Sequence, residues 1–517
     1  MWQRFSLYDV RVIGHYLGML VLFSALLMVV PFVTALVFQE WDPAYRYLYS
    51  IGIALVVGSL LRFFRIQPGK LNRQQALAVV GLAWIVLGLF CSIPLYNSGH
   101  YLTYLDALFD SVSGITTTGA SLIVDLDHLS YADNMFRFMM HLLGGLGLIV
   151  VALSLGVFGK RAGATLYTSE GRSEHVVPNV IHTTTFIAKV TAWFVLIGTV
   201  SISVLMLLSG IEPVRAILQS FWVAISGFVT GGFSPMQQSI FYYHSFPIEA
   251  LLMVLMLLGT VSFVIYSEVL RGRVREFFRD IETRTTVIWM VAMVVVFTAS
   301  LATSTLFSDV PTLLRRGMFV LISAFTTTGF SVLTTNQLLT VVTSGAFLTL
   351  ALVMAVGGWA GSTAGGIKIY RVGIIAKSFV STIKEAVSPD SATVVVAYNH
   401  VGKRILSPSV VKEAMTIFIM FVITYVIGAL VGIAHGHEAT QAVYESVCMT
   451  SNGGMIVGIA TPGMPVTLEL FYILQMWAGR LEFITLLALI VQVVVSAIPR
   501  RRATNPGVVA SNEEIQL

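Results

Sequence analysis

Four short segments of this chain repeat one pattern of residue types. They are Ser113-Gly114-Ile115-Thr116-Thr117-Thr118-Gly119, Ser226-Gly227-Phe228-Val229-Thr230-Gly231-Gly232, Ser323-Ala324-Phe325-Thr326-Thr327-Thr328-Gly329 and Cys448-Met449-Thr450-Ser451-Asn452-Gly453-Gly454. Each follows an aromatic residue ten positions before its last glycine: Phe109, Trp222, Phe319 and Tyr444. What such a segment offers chemically is oxygen. Glycine tolerates the backbone angles that turn a carbonyl toward a shared axis, and threonine adds hydroxyls. Four carbonyl-bearing loops around one axis can replace the hydration shell of a cation such as potassium, and the lack of any basic residue in the four copies argues against an anion path. One copy alone reads as well as a small-residue helix contact. Four aligned copies imply one pore lined by four equivalent backbone segments.

Loops of this kind need a membrane framework, and the composition supplies it. Of 517 residues, 56% are hydrophobic and 11% charged, against roughly 25% charged in a soluble domain. The first apolar run, about 12–38, is too long for a signal-peptide core and lacks a small-residue cleavage site, so it is expected to be retained. Cys91 and Cys448 lie in apolar stretches and read as buried hydrophobes, with no disulfide framework or metal spacing. The net charge of +5 comes from basic residues in short loops beside spans, which topology explains better than nucleic acid does.

A span needs about 20 apolar residues. Ten segments qualify: 12–38, 46–64, 75–96, 133–158, 184–209, 247–270, 286–308, 340–383 with an interruption, 409–435 and 466–498. Each repeated motif ends an apolar stretch of about a dozen residues lying between two spans. These stretches are too short to cross, so they are expected to enter the membrane, turn at the motif and leave on the same side. Basic residues follow spans two (Arg62, Arg65, Lys70, Arg73), four (Lys160, Arg161, Arg172), six (Arg271, Arg273, Arg275, Arg279, Arg284) and eight (Lys377, Lys384, Lys403, Arg404). The positive-inside rule makes those loops cytoplasmic, together with the N-terminus at Arg4 and Arg11 and the polar C-terminal tail at Arg500 to Arg502. The re-entrant loops then open outward, where Asp125, Asp127 and Asp133 form a modestly negative entrance. Arg315 and Arg316 break the pattern and are expected to cap or snorkel.

The expected fold is therefore an all-α polytopic membrane protein. Two extra N-terminal transmembrane helices (1–70) precede four pseudo-repeated span, pore-helix, span units around one pore, at 71–160, 180–275, 285–385 and 405–500, with a polar cytoplasmic tail at 501–517. Span eight is interrupted by Gly357-Gly358-Trp359-Ala360-Gly361-Ser362-Thr363-Ala364-Gly365-Gly366. Each glycine costs a helix about 1 kcal/mol against alanine, so this run reads as an intramembrane loop. It is not a phosphate-binding loop, because Ile367 separates the last glycine from Lys368 and no strand precedes it. Arg480 in span ten costs about 2.5–3.5 kcal/mol on insertion scales, so it should face a cavity or a partner. Glu482 is one candidate partner, with packing elsewhere equally open. Asp110 and Glu445, each nine residues before the last glycine of its loop, either deepen the negative potential or accept hydrogen bonds from neighbouring loops. His141 reads as a packed or hydrogen-bonded helix residue.

The four units with loops Thr-Thr-Thr-Gly-Ala, Thr-Gly-Gly-Phe-Ser, Thr-Thr-Thr-Gly-Phe-Ser and Ser-Asn-Gly-Gly resemble the TrkH/TrkG/KtrB superfamily of potassium uptake proteins over nearly the whole chain. The two extra N-terminal helices place it nearer the TrkH branch. The resemblance implies potassium contacts at Thr117, Thr118, Thr230, Gly231, Thr327, Thr328, Asn452 and Gly453, with selectivity glycines Gly119, Gly232, Gly329 and Gly454. Related sodium-passing plant transporters often carry serine where this chain has Gly119, which favours potassium by analogy. The fourth loop departs from the threonine pattern at Asn452 and Gly453. The resemblance further implies a gate at 357–366, with Gly358, Gly361, Ser362, Thr363, Gly365 and Gly366, and a pore-facing Arg480. It implies a homodimer in the cytoplasmic (inner) membrane working with a cytosolic nucleotide-binding regulatory subunit of the TrkA/KtrA type. Membrane lipids are then further partners, and neither nucleotide nor nucleic acid is expected on this chain itself. The basic loops, especially 271–284, are candidate surfaces for that subunit or for anionic headgroups. Sodium- or proton-coupled symport would need a cluster of intramembrane carboxylates, which is not evident. An intramembrane enzyme or receptor would not need four matched loops, and the sequence holds no nucleophile–base constellation or zinc motif.

Overall fold

The computed structural model describes residues 4–63, 71–147, 180–301, 311, 313–341, 343–389, 391 and 394–498. The tail at 501–517, the basic residues Arg65, Lys70, Lys160, Arg161, Arg172 and Arg500 to Arg502, and the span-four residues beyond 147 lie outside the described residues.

Two N-terminal helices, α1 (Leu7–Val37) and α2 (Trp41–Arg62), form a hairpin. A capping box starts α1: the Ser6 amide donates to Asp9 Oδ2 at 2.7 Å and the Asp9 amide to Ser6 Oγ at 3.2 Å, satisfying two backbone donors that a helix start leaves over. Unit one contains α3 (Arg73–Tyr96), the short α4 (Tyr104–Ile115) and α5 (Tyr131–Leu146). Unit two contains α6 (Val180–Leu208), the short α7 (Pro213–Phe228), α8 (Phe246–Thr260) and α9 (Phe263–Leu270), followed by a connecting turn of helix, α10 (Val274–Arg279). Unit three contains α11 (Ile281–Leu301), a π-turn at Leu313–Gly317, the short α12 (Met318–Phe325), α13 (Thr335–Val341), α14 (Ser344–Ala355) and α15 (Ile369–Val387). An antiparallel hairpin, β1 (Ala397–Asn399) and β2 (Lys403–Ile405), leads into unit four: α16 (Pro408–Ala434), the short α17 (Ala439–Thr450), α18 (Val466–Arg480) and α19 (Ile484–Ala497). Apart from this hairpin the regular secondary structure among the described residues is helical, and the protein is an all-α polytopic membrane protein.

Each of the ten expected spans overlaps a helix among the described residues, but three are not the continuous helices expected. Span six is not continuous: α8 and α9 meet at 96°. Span ten is not continuous either, because α18 and α19 meet at 115°, across Glu482 and Phe483 with φ of +52° and +65°. Span four, expected over 133–158, ends as a helix at Leu146, where Gly147 has φ of +91°; spans one, two and seven start earlier, at Leu7, Trp41 and Ile281. Just before the breaks in spans six and ten, a glycine sits against a carbonyl at the end of a short helix, Gly259 on Phe228 O and Gly479 on Thr450 O.

The expected acidic entrance is also revised. Asp133 is buried in an ion pair with Arg46 at 2.9 Å and accepts the Tyr47 hydroxyl at 2.8 Å, tying α2 to α5. Glu40 accepts the Tyr131 and Ala132 amides at 2.8 and 3.0 Å, so the first turn of α5 is capped by the N-terminal hairpin. Asp125 remains exposed beside His128 at 2.9 Å, and hydrogen bonds from that histidine hold its carboxyl below the ordinary range. Asp127 accepts the Gln237 amide at 2.8 Å.

Candidate functional site

The four short helices α4, α7, α12 and α17 end at the four repeated segments, and all four ends have one backbone geometry. The first residue after each helix, Thr116, Val229, Thr326 or Ser451, has φ between −83° and −75°. The next, Thr117, Thr230, Thr327 or Asn452, has φ of +50° to +55°, and the terminal glycines Gly119, Gly232, Gly329 and Gly454 have φ of +60° to +89°. In each copy the amide of the third residue reaches back five positions: Thr118 to Ser113 O at 2.8 Å, Gly231 to Ser226 O at 2.8 Å, Thr328 to Ser323 O at 3.0 Å and Gly453 to Cys448 O at 2.8 Å. This is the Schellman ending, which normally carries glycine at the left-handed position. Three copies place a β-branched threonine there, at a cost of about 1–2 kcal/mol each. The left-handed second and fourth residues set this backbone apart from both a strand and a helix.

The four loops close on one another. A Cβ on Gly119 would overlap Gly231 O, one on Gly232 would overlap Thr328 O, one on Gly329 would meet Gly453 O, and one on Gly454 would overlap Thr118 O. Loop one thus abuts loop two, two abuts three, three abuts four, and four returns to one. All twelve expected loop residues, Thr117 to Gly119, Thr230 to Gly232, Thr327 to Gly329 and Asn452 to Gly454, come together in this ring. The short helices end at it with their C-termini, and each helix dipole there is equivalent to roughly half a negative charge. The divergent fourth loop keeps the shared backbone. Its Asn452 Nδ2 donates to Thr118 Oγ1 at 2.9 Å and to Met476 O at 3.0 Å, which binds loop four to loop one.

The support behind the ring is polar. Asp110 accepts the Leu122 amide at 3.3 Å and the Tyr101 hydroxyl at 2.9 Å, and lies 3.6 Å from Arg137 Nε. Glu445 accepts the Val457 and Ala460 amides at 2.9 and 2.8 Å. Of the two roles left open for these carboxylates, the geometry shows the second: they anchor the chain leaving loops one and four. Arg137, fully buried, stacks on Phe233 at 4.1 Å, and Phe233 stacks on His141 at 4.1 Å. Arg315 is no snorkelling residue; it forms a two-pronged ion pair with Glu249 at 2.6 and 2.7 Å, while Arg316 lies 5.4 Å from the Phe241 ring centre.

A second fourfold pattern went unread in the sequence. Gly144, Gly259, Gly357 and Gly479 each follow His141, Met256, Met354 or Met476 by three positions and stand 25 to 28 residues after the last glycine of their loop. A Cβ on Gly144 would overlap Ile115 O, just as Gly259 and Gly479 meet Phe228 O and Thr450 O. The His/Met-x-x-Gly spacing was the available signal. In units one, two and four the long helices use it to approach the short-helix ends without a side chain between, whereas Gly357 meets Gly365 O.

The interrupted segment at 357–366 lies directly against the ring. Thr363 Oγ1 is 2.9 Å from Gly259 O, 3.1 Å from Thr230 Oγ1 and 3.3 Å from Phe228 O. The Gly365 amide donates to Thr327 Oγ1 at 2.7 Å. Gly365 also abuts Ser451 O and Gly358 abuts Thr260. Ser362 Oγ returns to Trp359 O at 2.7 Å; Gly361 and Gly366 take left-handed turns with φ of +69° and +67°. Arg480 donates to Thr363 O at 3.0 Å and to Gly144 O, bridging the segment to unit one. Glu482 pairs with Arg371 of α15. A cavity of about 60 Å³, lined by Trp84, Ser362, Gly365, Lys368 and Arg480 among others, opens beside the segment and has room for a few waters.

Four re-entrant helix–loop segments closing on one axis, embedded in apolar helices, define a membrane protein of the cation transport class. The sequence profile of the TrkH family, described as cation transport protein, matches residues 14–497, and the chain belongs to that family. Among relatives, the Trk system potassium uptake protein TrkH of Halomonas elongata is 30% identical over 497 residues, covering 93% of this chain and 98% of the relative. An uncharacterised cation transporter of Methanocaldococcus jannaschii is 29% identical over 490 residues, covering 94% and 96%. The crystal structure of the potassium transporter TrkH from Vibrio parahaemolyticus superposes with a TM-score of 0.77 at 25% identity, covering 93% of this chain and 98% of that one. These relatives are cation transporters, not enzymes.

Proposed function

We propose that this protein takes up potassium through the four-loop ring, which acts as its selectivity filter, and that the segment 357–366 is its gate. The observation that carries the reading is the cyclic closure of Gly119, Gly232, Gly329 and Gly454 onto the third residue of the next loop. Only a closed ring of backbone oxygens can meet a dehydrated cation from all sides. Potassium contacts are assigned to Thr117, Thr118, Thr230, Gly231, Thr327, Thr328, Asn452 and Gly453. Gly358, Gly361, Ser362, Thr363, Gly365, Gly366 and Arg480 hold the pathway shut through the hydrogen bonds of Thr363, Gly365 and Arg480 to the ring and its helices. Opening exchanges those bonds for water. The units follow the boundaries read from the sequence, with both termini cytoplasmic and the chain in the cytoplasmic membrane.

We further propose a cytosolic nucleotide-binding regulatory partner and a homodimer, on the ground of the family resemblance drawn from the sequence. The test is rubidium uptake by cells lacking their own potassium uptake systems, with the partner co-expressed, alongside flux into proteoliposomes. Uptake that saturates with rubidium and is excluded to sodium is expected. A folded, membrane-inserted protein that carries no rubidium in either assay refutes the reading.

A further inference from the structure

Away from the ring, three ionisable side chains converge where the connection into unit three meets the β-hairpin. Asp280 immediately precedes α11, Glu282 is in its first turn, and His400 sits at the hairpin's tip. All three are buried, with exposures of 1%, 0% and 1%. One ligand atom from each, an imidazole nitrogen and two carboxylate oxygens, lies within 4.8 Å of both others. His400 Nδ1 is 3.2 Å from Asp280 Oδ2, and the Val401 amide donates to the same oxygen at 3.2 Å. Asp280 Oδ1 accepts the Glu282 amide at 2.8 Å. Tyr370, in the first turn of α15, lies tilted beside the imidazole with ring centres 4.7 Å apart and hydrogen-bonds Tyr398 at 3.0 Å.

We propose that Asp280, Glu282 and His400 form a binding site for a divalent transition-metal ion of the zinc type. The donor set decides the class: one nitrogen and two carboxylates suit zinc and its neighbours, whereas an alkali ion is bound by oxygen alone. Two negative charges balance the ion's two positive ones, so the filled buried site is neutral. Zinc–ligand distances of roughly 2.0–2.2 Å require the present spread to contract by about an ångström, within reach of side-chain rotation. Binding through Nδ1 needs the neutral imidazole with its proton on Nε2, and any second imidazole proton leaves to solvent. Asp280 keeps lone pairs for its backbone donors while coordinating.

The site is joined to the intramembrane segment by short bonds. Glu282 Oε1 accepts the Ala360 amide at 2.6 Å, and one turn further along α11 Thr286 accepts the Trp359 indole at 2.9 Å. A metal that fixes Glu282 therefore fixes Ala360. This link is a property of the closed arrangement itself and is read without any transport assay.

Zinc titration of the purified full-length protein against a competing chromophoric chelator tests the site, with hydrogen exchange followed on peptides spanning 357–366. One zinc per chain is expected, weakened at least about tenfold by His400→Gln and by Glu282→Gln, since each removes or neutralises a direct ligand. Glutamine at 282 retains the oxygen that accepts Ala360, so it reports on coordination without breaking the link; should His400→Gln aggregate, Glu282→Gln decides alone. Zinc is also expected to slow exchange at Ala360 in the parent protein. Parent protein that binds no zinc at about 100 µM, variants that bind as tightly as the parent, or bound zinc with unchanged exchange in 357–366 would each overturn the proposal.

Discussion

If the segment 357–366 holds the pathway closed through its hydrogen bonds, removing one hydroxyl should open it by a calculable amount. Thr363 is the sharpest place to cut. Its Oγ1 has one proton to give, to Gly259 O at 2.9 Å or Phe228 O at 3.3 Å, and it exchanges a second bond with Thr230 Oγ1 at 3.1 Å. Thr363→Val keeps shape and branching while deleting both. At about 0.5–1.5 kcal/mol net per bond, the closed state loses about 1–3 kcal/mol. The midpoint, about 2 kcal/mol, corresponds to about a 30-fold rise in the open-to-closed ratio. The assay is rubidium flux into proteoliposomes without any partner protein, normalised to inserted protein. Thr363→Ser keeps the hydroxyl and should behave like the parent. Flux for Thr363→Val within about twofold of the parent, at unchanged thermal stability, would refute the claim that these bonds keep the segment shut.

Other consequences can be checked separately. Gly119→Ser places a Cβ at φ +85° against Gly231 O, so the ring must widen there; sodium flux relative to rubidium is expected to rise about tenfold, or about 1.4 kcal/mol of lost discrimination. Gly259→Ala and Gly479→Ala push a methyl into the Phe228 and Thr450 carbonyls and should cost about 1–3 kcal/mol, seen as a lower melting temperature in detergent. Gly52→Ala on α2 meets nothing within 4 Å and should raise stability by roughly 0.5–1 kcal/mol. Arg371→Met strips Glu482 of its partner; because Glu482 is 24% exposed, the loss should be about 1–3 kcal/mol, below the roughly 3–5 of a fully buried pair. Adding Glu482→Met should recover most of it, and a double variant no more stable than Arg371→Met would remove the pair from the account.

Much of the architecture was legible because its signals are local. Apolar length marks a span wherever it occurs, and the four repeated segments mark four short helices ending on four loops. The twelve loop residues, the interruption of span eight and the polar environment of Arg480 follow from residue type and spacing. The hidden features depend on residues far apart in the chain. Asp133 reads as a surface acid until Arg46, 87 residues away, is folded against it. Arg315 reads as an interfacial cation until Glu249 arrives from unit two. Glu482 stands two residues from Arg480, yet its ion pair is with Arg371 on α15.

The bends at 261–262 and 481–483 show where the division falls. By itself the sequence determined that this is a membrane protein of four repeated units with glycine-ended loops, since hydrophobic length and residue pattern are properties of each segment alone. It could not determine that two apolar, helix-competent stretches break beside the ring. Beside each break a glycine meets a carbonyl at the end of another element, Phe228 O or Thr450 O, and that contact exists only after the units have assembled. The tertiary structure likewise decided that the four loops close in a cycle. A glycine's backbone freedom is written in the chain, but what it approaches is settled by packing.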